Sequence, residues 1–490
     1  MKTNGSHQFD TQTSKTCGKI FGEYIMMSPD LVVGDVNLLK QFLVKDFHIF
    51  TNRRTFRDPE DEYSEISYFE QILSSTSDDH WKKIRNIVTP AFTSGKLKSM
   101  VPLIVEAVHT MREILDEKIS AGRPIDAKEL FSGFTMDVIT SVAFGTKVNS
   151  QKNPDDPIVV HAKKAMNVQM KDPRIMFALL FPWTYRKLIE WFDVKLLLAD
   201  TEQFFGKLLK AVIADRKMNP RPIPDFLQLL LKANEENETH DLITTGPMGS
   251  DQDPDADLIR EALKPQTKAK LTEFEVIAQS FLFLLAGFDT TASTLTFLCY
   301  LLALHGDIQE QIRQEIIDAC GTTGEITYDA VQHKMPYLEA AMLETLRLFP
   351  PAPRIDRQAK QNYELNGIKI PKGGAVTVPV YLIHHSAEYY PDPESFRPER
   401  FMGEERANRS PYAFLGFGYG PRNCVGMRFA TVEIRLCMAH IIRGYIMEPC
   451  KETEACYMFI RSIPLPILST NLLKPKNAVF VSFRQREESN

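Results

Sequence analysis

The sequence has no surplus of basic charge, no paired cysteines and no apolar leader. Lysine and arginine number 58 against 63 aspartates and glutamates, a net charge of -5, so nothing overall points to nucleic acid. The seven cysteines (Cys17, Cys299, Cys320, Cys424, Cys437, Cys450, Cys456) form no C-x-x-C pair and no cluster with histidine. That excludes a zinc ribbon, and an odd, scattered set fits a reducing compartment better than a disulfide framework. The first twenty residues, MKTNGSHQFDTQTSKTCGKI, carry neither the apolar run of a signal peptide nor the Arg-rich face of a transit peptide. We therefore expect no N-terminal membrane anchor in this chain and a disordered stretch over residues 1–16. No Gly-rich dinucleotide fingerprint appears, so a nicotinamide cofactor is not expected to bind here directly.

What is present is a chain of 490 residues, 43% hydrophobic, able to bury a large core. Length alone would allow two or three domains, but no linker divides it, and we expect one domain over 1–490. Residues 234–270 (NEENETHDLITTGPMGSDQDPDADLIREALKPQTK and flanks) are polar, acidic and broken by prolines, as in a surface loop. KIFGEYIMM and DLVVGD, split by Ser28-Pro29, read as short strands. From about Leu38 helical periodicity dominates, as in SGKLKSMVPLIVEAVHTMREILDEKIS. After Pro350, YELNGIKIPKGGAVTVPV reads as a hairpin turning at Asn366-Gly367, and NAVFVSF as a late strand. The fold class expected is mainly α (α+β): a large helical domain with small sheets near the N- and C-terminal regions.

Two apolar segments bear on membranes. Residues 276–304 are long enough to cross a bilayer, but Asp289 lies at the centre, which insertion would penalise. A central core helix explains the same pattern. Residues 174–192 place Trp183, Tyr185 and Trp191 among apolar and basic residues, which suits either a membrane interface or a core-facing helix and loop.

The chemistry concentrates in FGYGPRNCVG, residues 417–426. A free cysteine is usually a core residue. Here glycines at 418, 420 and 426 let the backbone come close to something and aim N–H groups at one atom, which suits a thiolate. Arg422, two residues away, suits a cofactor carboxylate. Phe417, Gly418, Gly420, Arg422, Cys424 and Gly426 resemble, position by position, the haem-binding loop of the cytochrome P-450 family. That resemblance implies haem b as cofactor and Cys424 as axial ligand of its iron.

Three further motifs extend the resemblance. In ETLR, Glu344 and Arg347 stand three apart on a helix, an arrangement common in exposed ion pairs; with Arg400 of FRPERF the family implies a buried structural network. AGFDTT (286–291) resembles the helix segment over the distal haem face. There Ala286 would border the haem, Thr290 would hydrogen-bond the oxygen being activated and Asp289, lining a wet channel, would relay protons. In WKKIR, Trp81 and Arg85 share a helical face, as in an amphipathic surface helix, but the family implies that they hold a haem propionate with Arg422, Arg357 and Arg53.

FTNRRTF, FTSGKLKSMVP, MDVIT, ETLRLFP, GPRNCVGMRFA and PCKET make the chain most similar to animal family 3, subfamily A, enzymes that oxidise drugs and steroids. The resemblance implies a haem-thiolate monooxygenase at the cytosolic face of the endoplasmic reticulum membrane. Its electrons would come from NADPH through a separate reductase, with cytochrome b5 as a further partner. Phe56, Leu285, Ala286, Ala352 and Pro353 would border a lipophilic substrate, and Lys82, Lys83, Lys96, Lys98, Arg428 and Arg435 would face an acidic redox partner. Two alternatives stay open at this stage: a haem-thiolate isomerase of lipid peroxides, resembling thromboxane synthase, and a non-catalytic haem- or lipid-binding protein.

Overall fold

Asn366 and Gly367 both take positive φ (51° and 80°), as a two-residue hairpin turn requires, and join antiparallel strands Tyr363–Leu365 and Ile368–Ile370. This is a computed structural model, and it describes residues 5–25, 28–54, 67–166, 177, 181, 184, 199–219, 225–236, 254–264, 270–453, 467–469, 472–475 and 477–486. Helices dominate, with four small sheets among the described residues.

The largest sheet joins the N-terminal region to residues 355–378. The hairpin Ile20–Ile25 and Ser28–Val33 pairs in parallel through its second strand with Ala375–Val378, which pairs in turn with Ile355–Gln358. Ser28-Pro29 lies inside the second strand rather than between strands. An added bridge, Asn52 to Gln358, sets Arg53 near Arg357 on the cavity described below. At the other end, Phe480–Gln485 pairs with both Tyr445–Glu448 and the two-residue strand Ile125–Asp126.

Residues 1–16 are expected to be disordered, but Ser6–Cys17 forms a helix. Its anchor is distant in sequence: Arg354 Nε donates to Asp10 Oδ2 at 2.8 Å, and His7 sits edge-on to Tyr381 with ring centres 5.0 Å apart. The expected polar loop of 234–270 is likewise interrupted by the helix Ala256–Leu263, which buries Ile259 and Leu263. Asp255 at its start is buried and paired with Lys40 at 2.7 Å.

The central helix, Glu273–Leu304, begins at a reciprocal capping box: the Glu275 N–H donates to Thr272 Oγ1 (3.1 Å) and the Thr272 N–H to Glu275 Oε2 (2.6 Å). Lys83 and His80 also reach Glu275, and these bonds outweigh the cost of burial, drawing its carboxyl down to about 2. By length and composition this helix would cross a membrane, but most of it lies inside the protein. It packs against helix Ala127–Phe144, where a Cβ on Gly287 would stand 2.7 Å from Ile139 Cδ1. Only Phe177, Phe181 and Thr184 of segment 174–192 are described, so the interface expectation lies outside the described residues.

Below the central helix, Pro336–Leu348 carries Glu344 and Arg347, both fully buried. Arg347 grips Glu344 with two nitrogens (2.7 and 2.8 Å), and Arg400 Nε adds a third contact at 3.2 Å. Arg347 also donates to the His384 carbonyl at 2.8 Å. His384 Nε2 accepts from the Leu415 N–H at 2.8 Å, which leaves its Nδ1–H to donate to the Arg347 carbonyl at 3.0 Å. One neutral imidazole thereby connects the ion network to the segment leading into Cys424. Burial and the Arg347 charge hold that imidazole well below the usual histidine range.

Candidate active site

The loop 417–426 is a set of tight turns closed by its own backbone. Cys424 N–H donates to the Phe417 carbonyl at 2.9 Å and Asn423 N–H to that of Gly420 at 3.0 Å. Gly418 and Gly420 hold φ at 71° and 79°, and a Cβ on Gly420 would stand 2.2 Å from the Leu43 carbonyl oxygen. Gly426 has an ordinary φ of −86°; its missing side chain leaves space in the cavity instead.

Cys424 precedes helix Met427–Gly444, with its thiol open to the cavity. Burial pushes this thiol up, while the N–H groups of Gly426 and Met427 and the charges of Arg85 and Arg53 pull the other way.

Four arginines converge on the same cavity. Arg85 reaches back to the loop, donating to the Asn423 carbonyl (2.8 Å) and side chain (2.7 Å). Arg422 donates to the carbonyls of Thr51 (2.8 Å) and Thr76 (2.7 Å) and lies 4.4 Å over the Trp81 ring. Burial pulls Arg85 down to about 10 and Arg357 to about 9. The Nε atoms of Arg53, Arg85 and Arg357 are buried without a hydrogen-bond partner. Buried guanidinium donors left open beside an apolar cavity call for an anion. A haem with two propionates fits this donor set, with the Cys424 thiol on the wall of the same cavity.

Opposite the loop, Ala286, Gly287 and Thr290 line the cavity, whose volume is about 360 Å³. Thr290 Oγ1 donates to the Ala286 carbonyl at 2.6 Å, and Thr294 Oγ1 repeats this bond one turn on, to Thr290, at 2.9 Å. Asp289, expected to line a wet channel, lies off this wall: Lys474 Nζ is 3.3 Å from its Oδ2. The charge of a buried carboxylate in an apolar helix is thus met by a cation from a strand near the C-terminus.

Among the expected pocket residues, Ala286 and Ala352 line the cavity, whereas Leu285 and Pro353 do not, and Phe56 lies outside the described residues. Phe92, Phe226, Phe283 and Pro351 also form the wall. No sequence motif marked them, because they arrive from separate elements. Of the expected docking cations, Arg435 is buried and spent on the Val331 carbonyl (2.8 Å), Gln332 (2.7 Å) and Glu339 (3.1 Å), and so cannot face a partner. Lys83 is engaged by Glu275 at 2.7 Å.

Comparison with known proteins shows the family. The family model described as Cytochrome P450 matches residues 1–474, and the chain belongs to that family. It is 35% identical over 487 residues to cytochrome P450 3A2 of Rattus norvegicus and 36% over 487 residues to cytochrome P450 3A11 of Mus musculus. Identity to cytochrome P450 3A5 of Homo sapiens is 34% over 488 residues, and each of the three matches covers 99% of this chain and 88% of the relative. The protein is a haem-dependent monooxygenase, supplied with electrons from NADPH by a reductase and acting on lipophilic substrates.

Proposed function

We propose that xenobiotic and steroid-like molecules are oxidised in the cavity between Thr290 and Cys424, with Cys424 as the iron ligand. The observation that supports this most is the single cavity shared by that thiol, the Thr290 hydroxyl and buried guanidinium donors without partners. When bound, haem supplies the activation of dioxygen and the insertion of one oxygen atom into substrate. Arg85, Arg357, Arg53 and Arg422 with Trp81 would hold its propionates, and Gly418 and Gly426 leave room for it along the loop 417–426.

In this reading Ala286 and the aromatic wall exclude water and bind substrate by apolar area, which favours broad lipophilic selectivity. Thr290 holds a proton at Oγ1 and passes it into the cavity by turning away from the Ala286 carbonyl. Asp289 joins that relay only when its pair with Lys474 opens.

The partners are the reductase and cytochrome b5, docking on the side of Lys82, Lys96 and Arg428, with Lys98 of the same side paired to Asp329 at 2.6 Å. The location is the cytosolic face of the endoplasmic reticulum membrane. Free thiols at all six described cysteines support a reducing compartment.

The test is turnover of a steroid such as testosterone with purified reductase and NADPH. Hydroxylated product that requires NADPH and is lost in Thr290→Ala supports the reading. Rearrangement of a lipid peroxide without NADPH, and no steroid oxidation, would replace it by an isomerase.

A further inference from the structure

A second cavity, of about 370 Å³, lies away from Cys424 and takes no part in the chemistry above. Lysines from three helices border it: Lys118 near the end of Ser94–Ser120, Lys128 at the start of Ala127–Phe144 and Lys163 on Pro157–Met166. Two carboxylates share the wall, but both are in use. Asp126 Oδ1 caps its helix, accepting from the N–H groups of Lys128 (2.9 Å) and Val479 (3.2 Å). Glu129 accepts from Lys118 Nζ at 3.4 Å. Among the described residues, neither Lys128 nor Lys163 has a carboxylate within ion-pair distance; the neighbouring Asp200 is taken by Lys164.

Lys128 carries the strongest demand. Its ammonium donates to one acceptor, the Pro475 carbonyl, at 3.3 Å. Burial and the adjacent Lys474 lower its pKa, against weaker opposing pulls from Asp289 and Asp126. A partly buried cation beside another cation, on the wall of a cavity with room for a ligand, gains from an added negative charge.

We propose that this cavity binds a small phosphate- or sulfate-bearing anion, held by Lys128 and Lys163. Because Lys128 also feels Lys474 and Asp289, a ligand there alters the electrostatic field at the central helix from outside the active site.

The test is thermal unfolding of the ferric holoenzyme titrated with pyrophosphate and ribose 5-phosphate, against sodium chloride at matched ionic strength. Wild type should show a saturable rise in Tm. The apparent Kd should weaken by about tenfold or more in Lys128→Met and in the surface variant Lys163→Met, the loss expected of a charge-assisted hydrogen bond. Lys128→Arg should retain binding. A shift matched by sodium chloride, or unchanged in both methionine variants, overturns the site. Competition by phosphatidylcholine vesicles containing phosphatidic acid, but not by phosphatidylcholine alone, would support the same site with a lipid headgroup as its ligand; absence of competition would support a soluble one.

Discussion

Arg347 closes a two-pronged pair with Glu344, Nε to Oε2 at 2.7 Å and Nη2 to Oε1 at 2.8 Å, with both side chains wholly removed from water. Removing either partner leaves a buried charge, which costs about 3–5 kcal/mol. Glu344→Ala and Arg347→Ala should therefore yield protein that loses its fold and its haem at much lower urea than wild type. Equal midpoints in urea for mutant and wild type would refute this.

The Thr290 hydroxyl bonds the Ala286 carbonyl and faces the cavity. Thr290→Ala should keep haem binding, because the side-chain bond it loses is the one to the Ala286 carbonyl within the same helix, but divert NADPH to peroxide and water. Product per NADPH should fall about tenfold or more, the low end of what positioned proton transfer contributes. Thr290→Ser should restore most of it. Unchanged coupling in the alanine variant would remove Thr290 from the relay.

Gly420 and Gly426 should respond differently to alanine. At Gly420 the new Cβ meets Leu43 O at 2.2 Å and φ is 79°, so the loop cannot close and little holoprotein should form. Gly426 has a permissive φ, and alanine there should fold yet weaken haem retention by filling the cavity floor. Haem content against total folded protein, by absorbance and circular dichroism, separates the two.

His440 is buried with neither ring nitrogen partnered, and burial, then Arg443, Arg112 and His109, pull it down to about 3. The unfolded chain binds this proton below about pH 6.5 while the folded protein refuses it. Its neutral state is thus no handicap above pH 6.5, and stability declines as pH falls from there toward 3. His440→Leu should flatten that decline, by at most about 1.4 kcal/mol per pH unit. An identical acid slope in the variant would contradict the assignment.

The family, the Cys424 loop and the three helical motifs were legible because each lies within a few consecutive residues whose spacing carries its meaning. The Asn366-Gly367 hairpin was legible for the same reason: both residues tolerate positive φ. What escaped notice depends on distant partners. Arg354 orders Asp10 and the N-terminal helix from 344 positions away, Lys474 turns Asp289 into half of an ion pair, and Arg435 is taken up by Val331, Gln332 and Glu339, none of them near it in sequence. His384 had no motif, since its two nitrogens serve backbone groups of two different segments.

The central claim is that Cys424 is the thiolate ligand, and the difference spectrum of the reduced, carbon monoxide-bound protein tests it most directly. Wild type should give the strongly red-shifted Soret band of thiolate-ligated haem, and Cys424→Ser should lack it. A band at the ordinary histidine-haem position in wild type, or a red-shifted band that survives in the serine variant, would contradict the account.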